Sequence, residues 1–530
     1  MARSEQAVVG PFELQEVREA LAAGDYSRVL RDARSLANNV GDDADEAALL
    51  VARAHLRLDD ASAAFEWLES RKNWFPNSRV IVEVLRGIAE HRIGRATGVR
   101  RLEQAYLDAV NDGDRAEAAY YRGWAAYRDR DLVVADRWLQ AALDDARDIL
   151  AARAHALLAY VEEAREDYVS SARSFRLALR AMRGSDEQDI GLFAAVVHNL
   201  AVYGAELPDA KLTELVAREY PALKSTNSIH ILADVVQTAI HLGIGLECAG
   251  QVDQALDTMD EAARMASSSP ALVACAEAAA ADLLRVNGEH IAARRSLRRL
   301  ADALHANDGP EIEQQMPFLE AACVVARLEP SRANEWLARY SALSKVDDGR
   351  WALVHDRRVE ALELHARGLV EAAVGQPDKG IKRLSRALTL WTELGYMRRA
   401  AYAQMDLLTL GANADSSALS RFEREAPKHS LVAKGSSSLQ MPASSRPRLS
   451  PALETMLAHL CAGKSVREIA LESGRSEFTL RNHLKRMFKA YGVKSSAALV
   501  AAAMVSTVPP LVVRPRAAAR DTRRTTSAAN

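Results

Sequence analysis

The amino-acid sequence predicts an all-α protein in which a long series of paired helices precedes a small helical domain. Apolar residues recur at three- and four-residue spacing almost continuously through residues 13–410, where no alternating strand pattern of useful length occurs. Alanine, leucine, arginine and glutamate are abundant, whereas aromatic residues make up only 5% of the chain. This mixture favours helices over sheets. The pattern stops after Leu410, and a compact helical pattern resumes at residue 449.

Length and composition limit the class of protein. A chain of 530 residues with 49% hydrophobic residues has room for about two to four domains. Its four cysteines are far apart and form no CxxC pair or His/Cys cluster, so we expect no cysteine-based metal site and a reducing compartment. The sequence has no apolar signal core and no uncharged apolar run of ~18 residues. We therefore expect a cytoplasmic protein without membrane contact.

Charge is distributed unevenly along the chain. Residues 411–530 contain 19 Lys and Arg against 8 Asp and Glu, a charge of +11, whereas residues 1–410 carry −13. A basic end on an acidic body favours a polyanionic partner for that end. A solvated charged surface is the alternative.

The predicted helices repeat along the chain. Three segments align on Gly250, Gly288 and Gly375, with a small residue five positions later and apolar residues nine and twelve positions later. The small residues are Ala255, Ala293 and Gly380. We expect the glycine to turn the chain between two helices and the small residue to allow close helix packing.

Looser copies precede these three segments. Their turn positions are Gly24, Asp59, Gly94, Arg130 and Glu166, separated by 35 or 36 residues. The series resembles the tetratricopeptide repeat, although residues 184–245 and 305–345 are irregular. The resemblance implies a superhelix over residues 1–410 whose concave face binds a peptide, a protein or a small-molecule ligand. A spacer or oligomerisation arm is the alternative. Five tryptophans on these helices are expected to be packing residues: Trp67, Trp74, Trp124, Trp138 and Trp391.

No catalytic constellation is found. The motifs GxSxG, HExxH and GxGxxG are absent, and His198, His230 and His241 are interpreted as ordinary interior or surface histidines. Residues 458–465 approach a P-loop, but Ala458 stands where the first glycine is required and the surrounding segment reads as a helix. We expect a protein that is not an enzyme and has no cofactor and no metal site.

The C-terminal part divides into three segments. Residues 411–447, rich in Ser, Ala and Pro, are predicted to be a flexible linker. Residues 448–506 are predicted to form four helices, and residues 507–530 a basic disordered tail.

Ser450, Ser465 and Ser476 are predicted caps of the first three helices of the segment 448–506. Gly463 and Gly474 are predicted to break the chain between them, and a fourth helix is predicted from about Ser495. The apolar positions of these helices are Leu453, Met456, Leu457, Leu460, Val466, Ile469, Ala470, Leu471, Leu480, Leu484, Met487 and Phe488.

Two short helices around a glycine turn, the second with cations outside, are typical of the helix-turn-helix motif that reads DNA. Arg481 and Asn482 can pair with guanine and adenine and are predicted to read bases, with Phe478 and Lys485 on the same face. The residues predicted to contact phosphates are Lys464, Ser465, Thr479, His483, Arg486 and Lys489.

The segment 449–504 resembles the LuxR-type DNA-binding domain. The matching residues are Leu449, Ser450, Pro451, Leu457, Gly463, Glu468, Ile469, Ala470, Gly474, Ser476, Thr479, His483, Leu484, Gly492 and Val493. The resemblance implies dimerisation through the fourth helix and binding of double-stranded DNA as a homodimer. Arg475 and Phe478 depart from the family pattern, so an unusual DNA sequence is expected.

These observations favour a sequence-specific transcription regulator with an N-terminal repeat region that binds a ligand or partner. The alternative is an interaction scaffold in which the helix-turn-helix module mediates protein contacts.

Overall fold

The structure, a computed structural model, describes residues 11–38, 42–71, 74, 78–185, 187–226, 231–305, 315–329, 332–343, 357–412, 417–426, 429, 450–461, 464–473, 475–491, 496 and 499. In this part of the chain every regular element is a helix, which confirms the all-α prediction. The chain divides into two compact units. The first unit comprises residues 1–204 and 211–241, and the second unit comprises residues 205–210 and 242–530. The division lies within the predicted irregular stretch 184–245, which forms three helices.

Among the described residues, the first thirteen α-helices in chain order are α1 (Pro11–Ala22), α2 (Tyr26–Ala37), α3 (Asp42–Arg57), α4 (Ala61–Ser70), α5 (Arg79–Arg92), α6 (Thr97–Asp108), α7 (Asp112–Arg128), α8 (Leu132–Asp145), α9 (Asp148–Ala164), α10 (Tyr168–Arg183), α11 (Ile190–Glu206), α12 (Ala210–Ser225) and α13 (Leu232–Cys248). Those that follow are α14 (Val252–Met265), α15 (Pro270–Val286), α16 (His290–His305), α17 (Gln315–Leu328), α18 (Ala333–Leu343), α19 (Arg357–Ala373), α20 (Pro377–Glu393), α21 (Met397–Thr409), α22 (Ser417–Glu425), α23 (Pro451–Cys461), α24 (Val466–Ser473) and α25 (Glu477–Tyr491).

A recurrent turn joins the two helices of each pair. The eight predicted turn residues all have φ between 60° and 88°, which confirms them: Gly24, Asp59, Gly94, Arg130, Glu166, Gly250, Gly288 and Gly375. The residue after each donates its amide to a carbonyl five residues earlier, at 2.8–2.9 Å, which closes the first helix in a Schellman motif. In four of the turns that residue is an aspartate whose side chain caps the second helix. The repeat pattern therefore encodes a helix hairpin.

Small residues hold the two helices of a pair close together, as predicted. Ala255 and Ala293 are fully buried, and Gly380 in α20 lies against Gly368 in α19. A Cβ atom built on Gly380 would lie 2.6 Å from the carbonyl oxygen of Gly368, a distance that no side chain can tolerate without movement of the backbone. The five tryptophans predicted to be packing residues do pack: Trp391 is 2% exposed, and the other four are partly buried against apolar clusters.

Replacing Gly380 with alanine is therefore expected to destabilise the second unit by about 1–3 kcal/mol, because the added methyl group must push α19 and α20 apart. Gly113→Ala in α7 is a matched control, since its Cβ would meet only the Asn111 side chain at 3.4 Å. Alanine is the better helix former, so the control is expected to be neutral or more stable by up to about 1 kcal/mol. Urea denaturation of both variants measures the difference. Equal effects would mean that the close approach of α19 and α20 is not maintained.

The predicted flexible linker is wrong for residues 417–426, which contain α22. Leu419 and Phe422 are buried against Met397 and Ala401 of α21. The side-chain carbonyl of Gln404 accepts a hydrogen bond from the backbone amide of Leu419 at 2.7 Å. With only two large apolar residues in nine, α22 is too short for its periodicity to stand out in a Ser- and Ala-rich sequence. Residues 430–447 of the predicted linker lie outside the described residues, as does the tail 507–530.

The second unit contains a buried charged cluster that sequence patterns do not indicate. Arg327 of α17 donates to both oxygens of Asp406 of α21, at 3.0 and 2.5 Å. His365 of α19 contacts the same carboxylate at 2.7 Å. All three side chains are at most 10% exposed. Burial alone would raise the pKa of the Asp406 carboxyl, but the Arg327 guanidinium and the hydrogen bond from His365 hold it well below its usual range.

Candidate nucleic-acid interface

An apolar core fixes the positions of α23, α24 and α25. Its buried residues are Leu453, Met456, Leu460, Ile469, Leu480, Leu484, Met487 and Leu499, with Leu457, Val466, Ala470 and Phe488 partly buried against them. The predicted apolar positions are confirmed with one exception. Leu471 is 79% exposed, so its predicted place in the core is wrong. It follows Ile469 by two residues on α24 and so lies on the opposite side of the helix.

The two helices of the predicted helix-turn-helix motif begin at the serine caps that the sequence indicates. Glu468 accepts hydrogen bonds from the amide and hydroxyl of Ser465 at 2.7 and 2.8 Å, and the Ser465 hydroxyl accepts from the Glu468 amide. This is a capping box, and the hydrogen bond from the Ser465 amide lowers the pKa of Glu468. Ser476 accepts from the amide of Thr479 at 3.2 Å. Residues 474–476 join the two helices, and Gly474 lies outside the described residues.

The side of α25 that faces away from the core carries the predicted base-reading residues. Leu480, Leu484 and Met487 occupy the buried side. Arg481, Asn482, Lys485 and Arg486 are exposed on the remaining surface. Their guanidinium, amide and ammonium groups are donors suited to base edges and phosphates. Phe478 is part of α25, but its side chain is outside the described part of the structure, as is that of Lys489.

Two cations predicted to contact DNA have acidic partners that we did not predict from the sequence. Arg481 donates to Glu477 at 3.0 Å, with side-chain exposures of 69% and 42%. The ammonium of Lys464 contacts Glu472 at 2.6 Å. Exposed pairs of this kind contribute little free energy, so an anionic ligand can replace the carboxylate. The Glu477–Arg481 pair could have been predicted from its four-residue spacing on a helix. The Lys464–Glu472 pair could not, because it forms only when the chain folds.

The remaining predicted phosphate contacts differ in availability. Ser465 and Thr479 are exposed, but their hydroxyls take part in the two helix caps, Thr479 with the Ser476 hydroxyl at 2.9 Å. His483 is half-buried, and its Nδ1 atom has no hydrogen-bond partner among the described residues. Arg486 is exposed. The structure therefore brings four exposed donors, Arg481, Asn482, Lys485 and Arg486, onto one helix.

The predicted dimerisation helix falls almost entirely outside the described residues. Gly463, Gly492, Val493 and Ser495 are also outside them. Ser496 and Leu499 are helical, and Leu499 is fully buried in the core of the domain. The fourth helix thus contributes at least one residue to the core.

No protein-family model and no curated protein matches the chain. Among solved structures, a Rap protein complexed with competence and sporulation factor is 11% identical, with 75% of this chain and 99% of that one covered and a TM-score of 0.38. The APC/C hetero-tetramer Cut9-Hcn1 is 14% identical, with 81% and 90% covered and a TM-score of 0.25. Within the described residues, no helix is both long and apolar enough to cross a membrane.

Proposed function

We propose that this chain is a sequence-specific, DNA-binding transcription regulator of the LuxR type. The main support for the proposal is the exposed side of α25, which is rich in hydrogen-bond donors. The helix begins at a serine cap, and its opposite side packs in an apolar core. In this proposal α25 enters the major groove, Arg481 and Asn482 pair with bases, and Lys485 and Arg486 hold the flanking phosphates. The chain acts by binding and not by catalysis, in the cytoplasm.

The helix hairpins of residues 1–410 supply the regulatory input in this proposal. Stacked hairpins present long surfaces suited to a peptide, a protein or a small ligand. Binding of two copies to a two-fold DNA site would place two copies of α25 in successive major grooves. The dimer contact is assigned to the fourth helix on the strength of the family resemblance.

Salt dependence tests this proposal. The affinity of the full-length protein for duplex DNA is expected to fall steeply between low and physiological salt, because each neutralised phosphate releases counterions. The variant Lys485→Gln/Arg486→Gln is expected to reduce the slope of log affinity against log salt by about 1 for each lost contact per protomer. Fluorescence anisotropy of a labelled duplex measures the slope.

A matched control removes two exposed lysines from α20 in the repeat region, Lys379→Gln/Lys382→Gln. It changes the net charge equally and is expected to leave the slope unchanged. An equal change in both variants would show that DNA binds through overall charge and not through α25. Absence of DNA binding at low salt would favour the interaction-scaffold alternative.

A further inference from the structure

Three side chains of different chemistry meet in the interior of the second unit. Glu247 and Cys248 end α13, and His429 follows α22. The side chains of His429 and Glu247 are 0% and 4% exposed, and Cys248 is 6% exposed. One ligand atom from each residue, a carboxylate oxygen, the sulfur and an imidazole nitrogen, lies within 4.8 Å of the other two. The Glu247 carboxylate and the His429 Nε2 atom are 2.5 Å apart.

Aromatic contacts and α22 hold the imidazole in this position. The ring of Phe422 lies 4.9 Å from that of His429 and that of Tyr402 lies 6.0 Å away, both edge-on. The Tyr402 hydroxyl is 3.3 Å from the His429 Nε2 atom. Phe422 and Cys248 belong to the same buried apolar cluster, so the packing that buries α22 also places the imidazole near the thiol.

We propose that Glu247, Cys248 and His429 form a binding site for a divalent transition-metal ion such as Zn²⁺. Thiolate, imidazole and carboxylate are the three ligand types that Zn²⁺ takes from proteins. The thiolate and the carboxylate each contribute one negative charge, so a divalent ion makes the site neutral. Neutrality matters because an uncompensated charge in a dry interior is costly. The Tyr402 hydroxyl or a water molecule completes the four-coordinate shell.

Binding exchanges a proton for the metal ion. Zinc is held by the thiolate form of cysteine, so binding of the cation releases the proton of the Cys248 thiol to solvent. The carboxylate oxygen and imidazole nitrogen, now at hydrogen-bond distance, move apart by less than about one ångström to reach zinc bonds of about 2.0–2.2 Å. This inference is independent of DNA binding. The bound ion would tie α22 and His429, which precede the proposed DNA-binding domain, to α13.

Cobalt titration of the full-length protein tests the site. Co²⁺ bound to a thiolate in tetrahedral geometry gives a near-ultraviolet charge-transfer band and intense visible bands. We expect these bands to saturate at one equivalent and to disappear when Zn²⁺ is added. We expect Cys248→Ser to lose the charge-transfer band, and His429→Gln to lose the band or to weaken cobalt binding at least tenfold.

The matched control is Cys323→Ser, which removes another buried thiol of the same unit outside the cluster and is expected to retain the bands. Circular dichroism of the metal-free variants checks that they fold, and His429→Gln keeps the test informative if Cys248→Ser does not. No thiolate band in the wild-type protein would overturn the proposal and leave a buried contact between His429 and Glu247. A band that persists in Cys248→Ser would place the metal at a different thiol and overturn it as well.

Discussion

Replacing Arg327 with methionine is expected to lower the free energy of unfolding of the second unit by about 3–5 kcal/mol. The loss arises because Asp406 stays buried after its guanidinium partner is removed. Arg327 supplies two hydrogen bonds to that carboxylate, and His365 alone cannot replace both. Chemical denaturation followed by circular dichroism measures the change.

Two further variants separate charge pairing from packing. Arg332→Met removes an arginine whose side chain is 53% exposed and is expected to change stability by no more than about 0.5 kcal/mol. The double variant Arg327→Met/Asp406→Leu removes both charges and is expected to recover most of the loss. If the double variant were as unstable as Arg327→Met, lost packing and not the unpaired carboxylate would explain the effect.

The variant Arg481→Ala/Asn482→Ala is expected to lose sequence discrimination while keeping nonspecific DNA binding. A bidentate base contact contributes about 1–3 kcal/mol of discrimination. Loss of two such contacts should therefore lower the ratio of specific to nonspecific affinity by roughly 30-fold or more. Competition between a specific and a scrambled duplex measures this ratio.

Arg332→Ala/Asn334→Ala provides the matched control, since it removes the same two residue types from an exposed position of the repeat region. Its affinity ratio is expected to equal that of the wild-type protein. A ratio unchanged in the α25 variant would show that these two side chains do not read bases.

Local patterns were sufficient to predict the helix hairpins. Asp59, Arg130 and Glu166 are not glycines, yet they adopt the left-handed conformation that the repeat spacing assigns to them. The reason is that the turn is set by the closure of one helix and the start of the next, both of which are encoded within a few residues. Caps at Ser465 and Ser476 were predictable for the same reason.

Contacts between distant segments could not be predicted in this way. Arg327 and Asp406 lie on separate helix pairs, and the sequence around either residue does not indicate which residue it contacts. Similarly, Glu247 and Cys248 meet His429 only because α22 folds back onto α21. Leu471 shows that prediction of buried positions also fails within a short helix, because the eight residues of α24 include too few apolar positions to define its inner face.

Selection of genomic DNA fragments on the full-length protein, run beside Arg481→Ala/Asn482→Ala, tests whether α25 reads DNA bases. We expect the wild-type protein to enrich a two-fold-symmetric sequence and the variant not to enrich it. Enrichment of the same sequence by both proteins, or of none by the wild-type protein at low salt, would contradict DNA reading by α25.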